Sequence, residues 1–175
     1  MKHTSTTLIL GTALVAALLS GCGRSSSDAG APSASAPAAK ASEAAKPESG
    51  RAIQFTANDT MKFNMTEIHA SPGEALSVTL TNEGTTPKFS MGHNWVLFTA
   101  DIDLPAFVQE SATAAATDYI PASFRPKVIA ATKLLGPKES DTVTFFAPKT
   151  PGRYPFICSF PGHMQVGMKG ELIVE

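Results

Sequence analysis

From Arg51 onwards, apolar and polar residues alternate one by one in several stretches of the chain, and this period of two is typical of half-buried β-strands. In residues 76–81, for example, Leu76, Val78 and Leu80 alternate with serine and threonine. Short sequences rich in glycine and proline, such as 71–73, separate the runs. The pattern predicts an all-β domain of about eight strands, arranged as a Greek-key sandwich or barrel.

The predicted strands cover residues 53–57, 62–68, 76–81, 93–98, 127–135, 142–145, 153–158 and 170–174. Residues 103–118 break the alternation. There, Asp103 can cap a helix, Pro105 falls in the first turn, and an alanine-rich stretch follows. We therefore predict one short helical insertion that lies outside the sheets.

The first 21 residues have the pattern of a signal peptide. A short basic start precedes an uncharged apolar run over residues 8–19, which is too short to span a bilayer. The run ends in Leu19-Ser20-Gly21-Cys22, which resembles the bacterial lipobox. That resemblance implies cleavage before Cys22 and lipidation of its thiol and new amino group, so the mature chain is tethered rather than spanning. The alternative is a buried cysteine in an uncleaved hydrophobic segment.

Residues 22–50 are predicted to form a flexible tether after the lipidated cysteine. They consist mainly of alanine, serine and proline with scattered charges, and such a composition cannot bury enough apolar surface to fold. A flexible chain of roughly 28 residues has a root-mean-square reach of about 30 Å. Gly23 follows the cysteine where an aspartate would suggest inner-membrane retention, so the outer membrane is favoured. The folded domain then covers residues 51–175, facing the periplasm or the cell surface.

Several classes of function are disfavoured by composition and missing motifs. The net charge is −1, and the chain has no run of lysine or arginine of the kind that nucleic-acid backbones require. No glycine-rich phosphate loop, Gly-x-Ser-x-Gly elbow or His-Glu-x-x-His motif occurs, which removes most support for hydrolase functions. The two cysteines form no Cys-x-x-Cys motif, so each needs its own explanation.

The residues with metal-binding chemistry are concentrated near the C-terminus. Cys158, His163 and Met168 lie at the end of one predicted strand and across the turn into the last strand. Sulfur ligands together with imidazole select copper, and two histidines, one cysteine and a weak axial methionine make up a blue-copper site. His93 can supply the second imidazole, since the preceding Gly92 allows a close approach of the backbone.

Two motifs make the chain resemble the azurins. Residues 91–97 read Met-Gly-His-Asn-Trp-Val-Leu, and residues 158–163 read Cys-x-Phe-Pro-Gly-His before Met-Lys-Gly at 168–170. The likeness also includes residues 58–64 and 118–119 and extends from 128 to the end. It implies the cupredoxin fold, a Greek-key sandwich or barrel of about eight strands. It also implies one copper, bound by His93, Cys158 and His163 with Met168 as weak axial ligand and the Gly92 carbonyl on the opposite side.

The resemblance implies further roles around the copper. Asn94 would connect the two ligand loops, and the Phe160 amide would donate a hydrogen bond to the Cys158 sulfur. Two features depart from the azurin pattern. Four residues separate His163 from Met168 instead of three, as in plastocyanins and auracyanins, which leaves the strength of the axial bond open. Azurins also carry a disulfide near the N-terminus, whereas Cys158 is the only cysteine of this domain.

The function predicted from these features is electron transfer by a membrane-tethered type 1 copper protein of the cell envelope, and not catalysis. We expect a monomer that exchanges single electrons with redox proteins such as c-type cytochromes or a copper enzyme. His163 is the expected exit, exposed in a patch that contains Met91, Phe160 and Met164. Small apolar patches of this kind suit brief docking.

Two alternative functions would also use a bound metal. A protein that stores or delivers copper or zinc would use the same ligands, and that alternative remains open. A copper enzyme such as nitrite reductase would need a second cupredoxin domain and additional histidines for a catalytic copper. The sequence has four histidines, of which one lies in the predicted signal peptide. His69 falls within a strand-like run and is predicted to be solvated rather than a ligand.

Overall fold

The computed structural model describes residues 46–175, and eight strands form the framework of this region. The strands are β1 Arg51–Ala57, β2 Glu67–Ala70, β3 Ala75–Asn82, β4 Val96–Phe98, β5 Val128–Ala131, β6 Ser140–Phe146, β7 Gly152–Ile157 and β8 Lys169–Val174. Two α-helices accompany them, α1 Lys88–Met91 and α2 Leu104–Ser111, together with short 3₁₀ helices at Ala115–Thr117 and Ala122–Lys127. The predicted all-β class with eight strands is confirmed.

The strands form two sheets that enclose one core. One sheet has the order β1-β3-β6 and the other the order β2-β8-β7-β4-β5. The pairs β1–β3 and β2–β8 are parallel, and the other pairs are antiparallel. The alternation in β3 has the expected consequence, because Leu76, Val78 and Leu80 are fully buried. Apolar side chains that alternate along both sheets thus face each other across the sandwich.

Aromatic rings fill the core between the sheets. The ring of Phe156 on β7 lies 5.3 Å from that of Phe55 and 5.4 Å from that of Trp95, measured between centroids. All three side chains are fully buried. Rings at these distances pack in tilted or edge-to-face arrangements, which add to the stabilisation from burial alone. The core therefore gives a rigid support to the residues that follow β7 and precede β4.

Three predicted strands are longer than the observed ones. β5 ends at Ala131, whereas the prediction continued to residue 135. The reason is that the backbone amides of Lys133 and Leu134 bond to the carboxylates of Asp141 and Asp118 instead of to a neighbouring strand. β4 begins at Val96 rather than at residue 93, and β2 at Glu67 rather than at 62. In both cases irregular chain precedes the strand.

The predicted short helical insertion within residues 103–118 is confirmed. Asp103 caps α2 as expected, since its side chain accepts a hydrogen bond from the Ala106 amide (3.0 Å). The helix ends at Ser111, within the predicted segment. The hydroxyls of Ser111 and Thr113 bond to carbonyls three residues back and compete with continued helix. α1 was not predicted.

A second, smaller core holds the insertion against the five-stranded sheet. Phe107 of α2 is fully buried, and its ring lies 4.7 Å from Phe98 and 5.4 Å from Phe124. Met164, which follows His163, packs against the same cluster. The insertion therefore contributes to the surroundings of the loop between β7 and β8.

In the part of the chain that the structure describes, no helix is long and apolar enough to cross a membrane. The predicted signal peptide, Cys22 and most of the predicted tether lie outside the described residues. Those assignments stay predictions.

Candidate metal centre

Three side chains with metal-binding atoms meet at one end of the sandwich. His93 lies between α1 and β4, Cys158 directly follows β7, and His163 lies in the loop between β7 and β8. One donor atom from each lies within 4.8 Å of the other two. The Cys158 Sγ is 3.4 Å from the Nδ1 of His163. The fold thus places His93 beside two residues that lie far from it in the sequence, and the sequence analysis had singled out all three.

The burial of His93 fits a bound metal. This side chain is fully buried, and neither of its ring nitrogens has a hydrogen-bond partner. A buried polar group without a partner costs about 1–3 kcal/mol, so such groups are rare unless an ion or water satisfies them. Two imidazoles and one sulfur form a donor set that copper prefers. The residues present therefore fit a copper ion.

The loop after β7 is held by backbone hydrogen bonds that converge on Met168. The Cys158 amide donates to the Met168 carbonyl (3.0 Å), and the Met168 amide donates to the His163 carbonyl (2.9 Å). Gly162 and Gly167 adopt φ values of +88° and +98°, which glycine tolerates best. The Met168 side chain is fully buried. Met168 is thus fixed to both of the other residues of this loop that carry donor atoms.

Gly92 allows the backbone before His93 to pass close to Lys88 and Leu134. A Cβ atom at this position would lie 2.8 Å from the Lys88 carbonyl oxygen and 2.9 Å from the Leu134 side chain. The next residue, His93, exchanges two backbone hydrogen bonds with Leu135, of 3.1 and 2.7 Å. Only glycine fits at position 92 without displacing this pairing.

Asn94 links the segment of His93 to the segment of Cys158. Its Oδ1 accepts a hydrogen bond from the Ser159 amide (2.8 Å), and its Nδ2 donates to the Asp118 carbonyl (3.0 Å). The Ser159 hydroxyl also bonds to Asn94 and to the Asp118 carbonyl. The sequence analysis had not assigned roles to Ser159 or Asp118. The only signal was that residues 118–119 belong to the likeness with azurins.

Burial sets the protonation of the three donor side chains. It raises the pKa of the Cys158 thiol to about 12, although hydrogen bonds from the backbone amides of Asn94 and Phe160 oppose the rise. Burial, together with the charge of nearby His93, lowers the pKa of His163 to about 4. The pKa of His93 is lowered as well, chiefly by burial. Both imidazoles are therefore neutral and ready to bind a metal, whereas the thiol keeps its proton until a metal displaces it.

We expect the copper-free protein to lose stability as the pH falls from about 6.5, the usual histidine value, to about 4. In this window the unfolded chain binds protons that the buried histidines of the folded state do not. Each histidine then contributes up to about 1.4 kcal/mol per pH unit to the free energy of unfolding. Urea denaturation at several pH values measures this slope. His163→Gln should reduce the slope. An equal slope in the wild-type and His163→Gln proteins would contradict the explanation.

The predicted docking patch is less exposed than the sequence analysis required. His163 is only 2% exposed, so the expectation that it is a surface residue is wrong. Phe160 is also buried, because the rings of Tyr119 and His163 pack on it with centroid distances of 4.9 and 4.6 Å. Met91 and Met164 are half-buried. His69, by contrast, is mostly exposed as predicted, and it pairs with Glu175 at 2.9 Å.

The model of the plastocyanin/azurin family of copper-binding proteins matches residues 51–175. The chain belongs to this family. Copper is therefore its cofactor, in agreement with the donor set of His93, Cys158 and His163. Proteins of this family bind copper and carry electrons.

Relatives and solved structures support the same assignment. An azurin from Pseudomonas fluorescens biotype A is 38% identical over 126 residues, which cover 70% of this chain and 97% of the azurin. The outer membrane protein H.8 of Neisseria gonorrhoeae is 39% identical over 114 residues, 64% of this chain. The match spans only 61% of H.8 itself. A reduced auracyanin from Roseiflexus castenholzii superimposes with a TM-score of 0.62 at 36% identity, over 71% of this chain and 96% of the auracyanin. The predicted cupredoxin fold is confirmed.

Proposed function

We propose that this chain is a one-copper electron carrier whose ligands are His93, Cys158 and His163, with Met168 as weak axial ligand and the Gly92 carbonyl opposite. The observation that carries this proposal is the buried His93 ring, whose two nitrogens have no partner, beside a thiol and a second imidazole. Copper bound there supplies the redox chemistry, because it takes up and gives up one electron. The chain itself binds the copper, orients the side chains around it and shields the site from solvent.

The surroundings of the donors favour a carrier over an enzyme. His93 and Cys158 are fully buried and His163 nearly so. A substrate would need an open ligand position, whereas these side chains leave little room for one. Hydrogen bonds that involve Leu135, Asn94 and Met168 hold the three segments in place. A site held in this way changes little when its charge changes, which suits electron transfer, and the groups around it set the potential.

The proposed function is tested by adding copper to the purified protein and recording its visible spectrum and its voltammetry. A carrier should show strong thiolate-to-copper absorption and a reversible one-electron wave. A storage or delivery protein would bind copper without reversible cycling. Binding without colour would contradict ligation by Cys158, and an irreversible wave would contradict the carrier function.

Met168→Leu should keep copper and raise the reduction potential. An axial thioether is a long, weak ligand. Its removal should therefore change the reduction potential of the copper more than the affinity for copper. The leucine is close in volume to methionine, and such swaps in a core usually cost less than about 1.5 kcal/mol. Copper content and voltammetry measure the two effects. Loss of copper from this variant would show that Met168 is a primary ligand.

We also propose that the chain is a lipoprotein, processed after residue 21, lipidated at Cys22 and tethered through residues 23–50, with the outer membrane favoured. The similarity to a protein named outer membrane protein H.8 supports an envelope location. The domain would face the periplasm or the cell surface. It would act as a monomer and exchange electrons with redox proteins such as c-type cytochromes or a copper enzyme.

The direction of β1 is compatible with such a tether. Ala57 at the end of β1 pairs with Asn82, whose side chain donates to the carbonyl of Leu135, the partner of His93. β1 therefore ends near the metal centre and begins, at Arg51, about 20 Å away along the strand. The preceding chain thus enters the domain at the end away from copper. An anchor before it would leave the copper end free for partners.

Cys22→Ala should abolish acyl labelling and release the protein from the membrane fraction or leave it unprocessed. The reason is that the lipobox cysteine supplies both the thiol and the amino group that carry the acyl chains. Cys158→Ser is the matched control, because it removes the other cysteine and should leave labelling unchanged. Normal labelling and fractionation of Cys22→Ala would contradict the anchor.

A further inference from the structure

The side chain of Lys62 reaches the loop between β7 and β8 from a distant part of the chain. Its Nζ donates a hydrogen bond to the Val166 carbonyl, 104 positions away in the sequence. Val166 lies two residues before Met168, the proposed axial ligand. In the part of the chain that the structure describes, no backbone amide donates to this carbonyl. Lys62 therefore satisfies a group that the loop itself leaves open.

The loop makes a helix-like turn just before the point where Lys62 meets it. The Val166 amide donates to the Gly162 carbonyl (3.3 Å), four residues back, and the Gly167 amide donates to the Met164 carbonyl (3.0 Å). The last carbonyls of such a turn have no partner within it, and a lysine side chain can supply one. The contact of Lys62 thus closes the end of this turn.

Gly167 makes room for the lysine. Its φ is +98°, and a Cβ atom at this position would lie only 2.6 Å from the Lys62 Nζ. A side chain here would therefore push the ammonium away from the Val166 carbonyl. The next residue is Met168, whose own amide and carbonyl are both hydrogen-bonded. A single glycine thus separates the lysine contact from the backbone of the proposed axial ligand.

The backbone that presents Lys62 is itself held on both sides. Before it, the Met61 amide donates to the Asn58 carbonyl (3.0 Å) in a turn. After it, Phe63 is buried and pairs with the end of β1, and its ring lies 5.8 Å from that of Phe156 on β7. The Lys62 side chain is exposed. It therefore extends from a fixed point of the core to the ligand loop.

A weak axial bond makes the position of Met168 depend on the chain more than on the metal. An axial thioether is a long, weak ligand, and it tunes the reduction potential of a blue-copper site. The loop holds one residue more between His163 and Met168 than in azurins. This longer connection needs its own support. A contact that fixes the loop therefore also sets the approach of the thioether to the copper.

We propose that Lys62 is a positioning residue for the axial ligand. By binding the Val166 carbonyl it holds the loop between β7 and β8, keeps Met168 in place and so sets the reduction potential. This inference rests on the proposed electron-carrier function with Met168 as axial ligand. Lys62 itself binds no copper and carries no electron.

The competing explanation is an effect of the lysine charge alone. A positive charge near the centre favours the reduced ion, so its removal alone would lower the potential and leave the visible band unchanged. A looser axial ligand acts in the opposite direction. Like Met168→Leu, it should raise the potential, and it should also shift the band. The sign of the change and the spectrum therefore distinguish the two explanations.

The test compares the copper-loaded wild-type protein with Lys62→Met and Lys62→Arg. Lys138→Met is the matched control, because the Lys138 Nζ also donates to a backbone carbonyl, that of Glu83 (2.7 Å), outside the ligand loop. Visible spectra and voltammetry are recorded for each. Lys62→Met should keep its copper, shift the visible band and raise the potential. Lys62→Arg retains a cationic donor and should restore both wild-type values. Lys138→Met should keep the wild-type band.

A double variant tests whether the lysine acts through Met168. In the Met168→Leu protein no thioether remains to be positioned. Adding Lys62→Met to it should therefore leave the visible band where Met168→Leu alone places it. Two residues that act independently would instead give the sum of their separate shifts.

Amide exchange in the copper-free protein gives a readout that needs no metal. The Gly167 and Met168 amides lie in the loop that Lys62 holds. In Lys62→Met they should exchange with solvent about fivefold faster, because the loop opens more easily once this hydrogen bond is lost. Amides in the centre of β8 should exchange at the wild-type rate, and so should the loop amides of Lys138→Met. NMR measures these rates.

Three results would overturn the inference. An unchanged band in Lys62→Met would show that the lysine does not position Met168, and a lower potential at the same time would assign its effect to charge. An equal band shift with and without Met168 would place its action elsewhere in the site. Wild-type exchange of the loop amides in Lys62→Met would show that the contact does not hold the loop. Failure of the proposed function is distinct, since the wild-type protein would then lack a reversible wave while the copper-free exchange rates still responded to Lys62→Met.

Discussion

Cys158→Ser should remove the intense visible absorption of the copper-loaded protein completely. That absorption arises from charge transfer between copper and a thiolate, and Cys158 is the only cysteine in the described part of the chain. Copper affinity should fall by more than about 100-fold, because the loss of an outer-shell partner alone costs about 10–100-fold. Visible spectroscopy and a copper titration with a competing chelator measure the two effects.

A matched control separates the role of this thiol from a general effect of removing a cysteine. Cys22→Ser changes the other cysteine of the sequence and should leave the absorption unchanged. The copper-free Cys158→Ser protein should still fold, since the substitution removes little volume from a site that backbone hydrogen bonds hold. Persistent absorption in Cys158→Ser would mean that another residue binds the metal.

Asn94→Ala should lower the free energy of unfolding of the copper-free protein by about 3 kcal/mol, because the buried Ser159 amide loses its partner, at about 1–3 kcal/mol, and two further hydrogen bonds are lost, at about 1 kcal/mol each. The two further bonds are those of Asn94 to the Ser159 hydroxyl and to the Asp118 carbonyl, which keep each other as partners. Asn94 is fully buried, so water cannot replace it without rearrangement. Urea denaturation measures the loss.

Asn64→Ala is the matched control for this second prediction. Asn64 also bonds to the backbone, at the Thr56 amide (2.9 Å), but it is exposed and water can take its place. Its replacement should cost less than about 1 kcal/mol. Equal losses in the two variants would contradict a special role of Asn94 in joining the loops. In the copper-loaded protein, Asn94→Ala should also shift the visible band, because His93 and Cys158 are no longer held together.

His163 is buried in the structure, in contrast to the exposed position that the sequence analysis predicted. The sequence analysis had placed this side chain on the surface within a patch of apolar residues, whereas the folded chain covers it. Phe160 was expected in the patch and instead lies beneath Tyr119. Near this side chain, Pro161 and Val166 are exposed, and Met91, Met164 and Tyr119 are partly exposed.

The sequence alone determined the class of fold and the kind of metal centre. The alternation in β3, the cap at Asp103 and the spacing of Cys158, His163 and Met168 are local patterns, and each reflects burial or chemistry within a few residues. His93 after Gly92 was a candidate for the second histidine, and the motif at residues 91–97 supported it through the resemblance to azurins. For these features, neighbouring residues in the sequence carry enough information.

Only the tertiary structure decided where β5 ends, how the ligand segments are joined and what covers His163. β5 ends early because Asp118 and Asp141 take up backbone amides that a longer strand would pair. The junction depends on Asn94 and Ser159, which are 65 positions apart. Tyr119 reaches Phe160 through a left-handed backbone that alanine-rich sequence does not predict. In each case the deciding contact joins residues distant in the chain, and such contacts leave no periodic signal in the sequence.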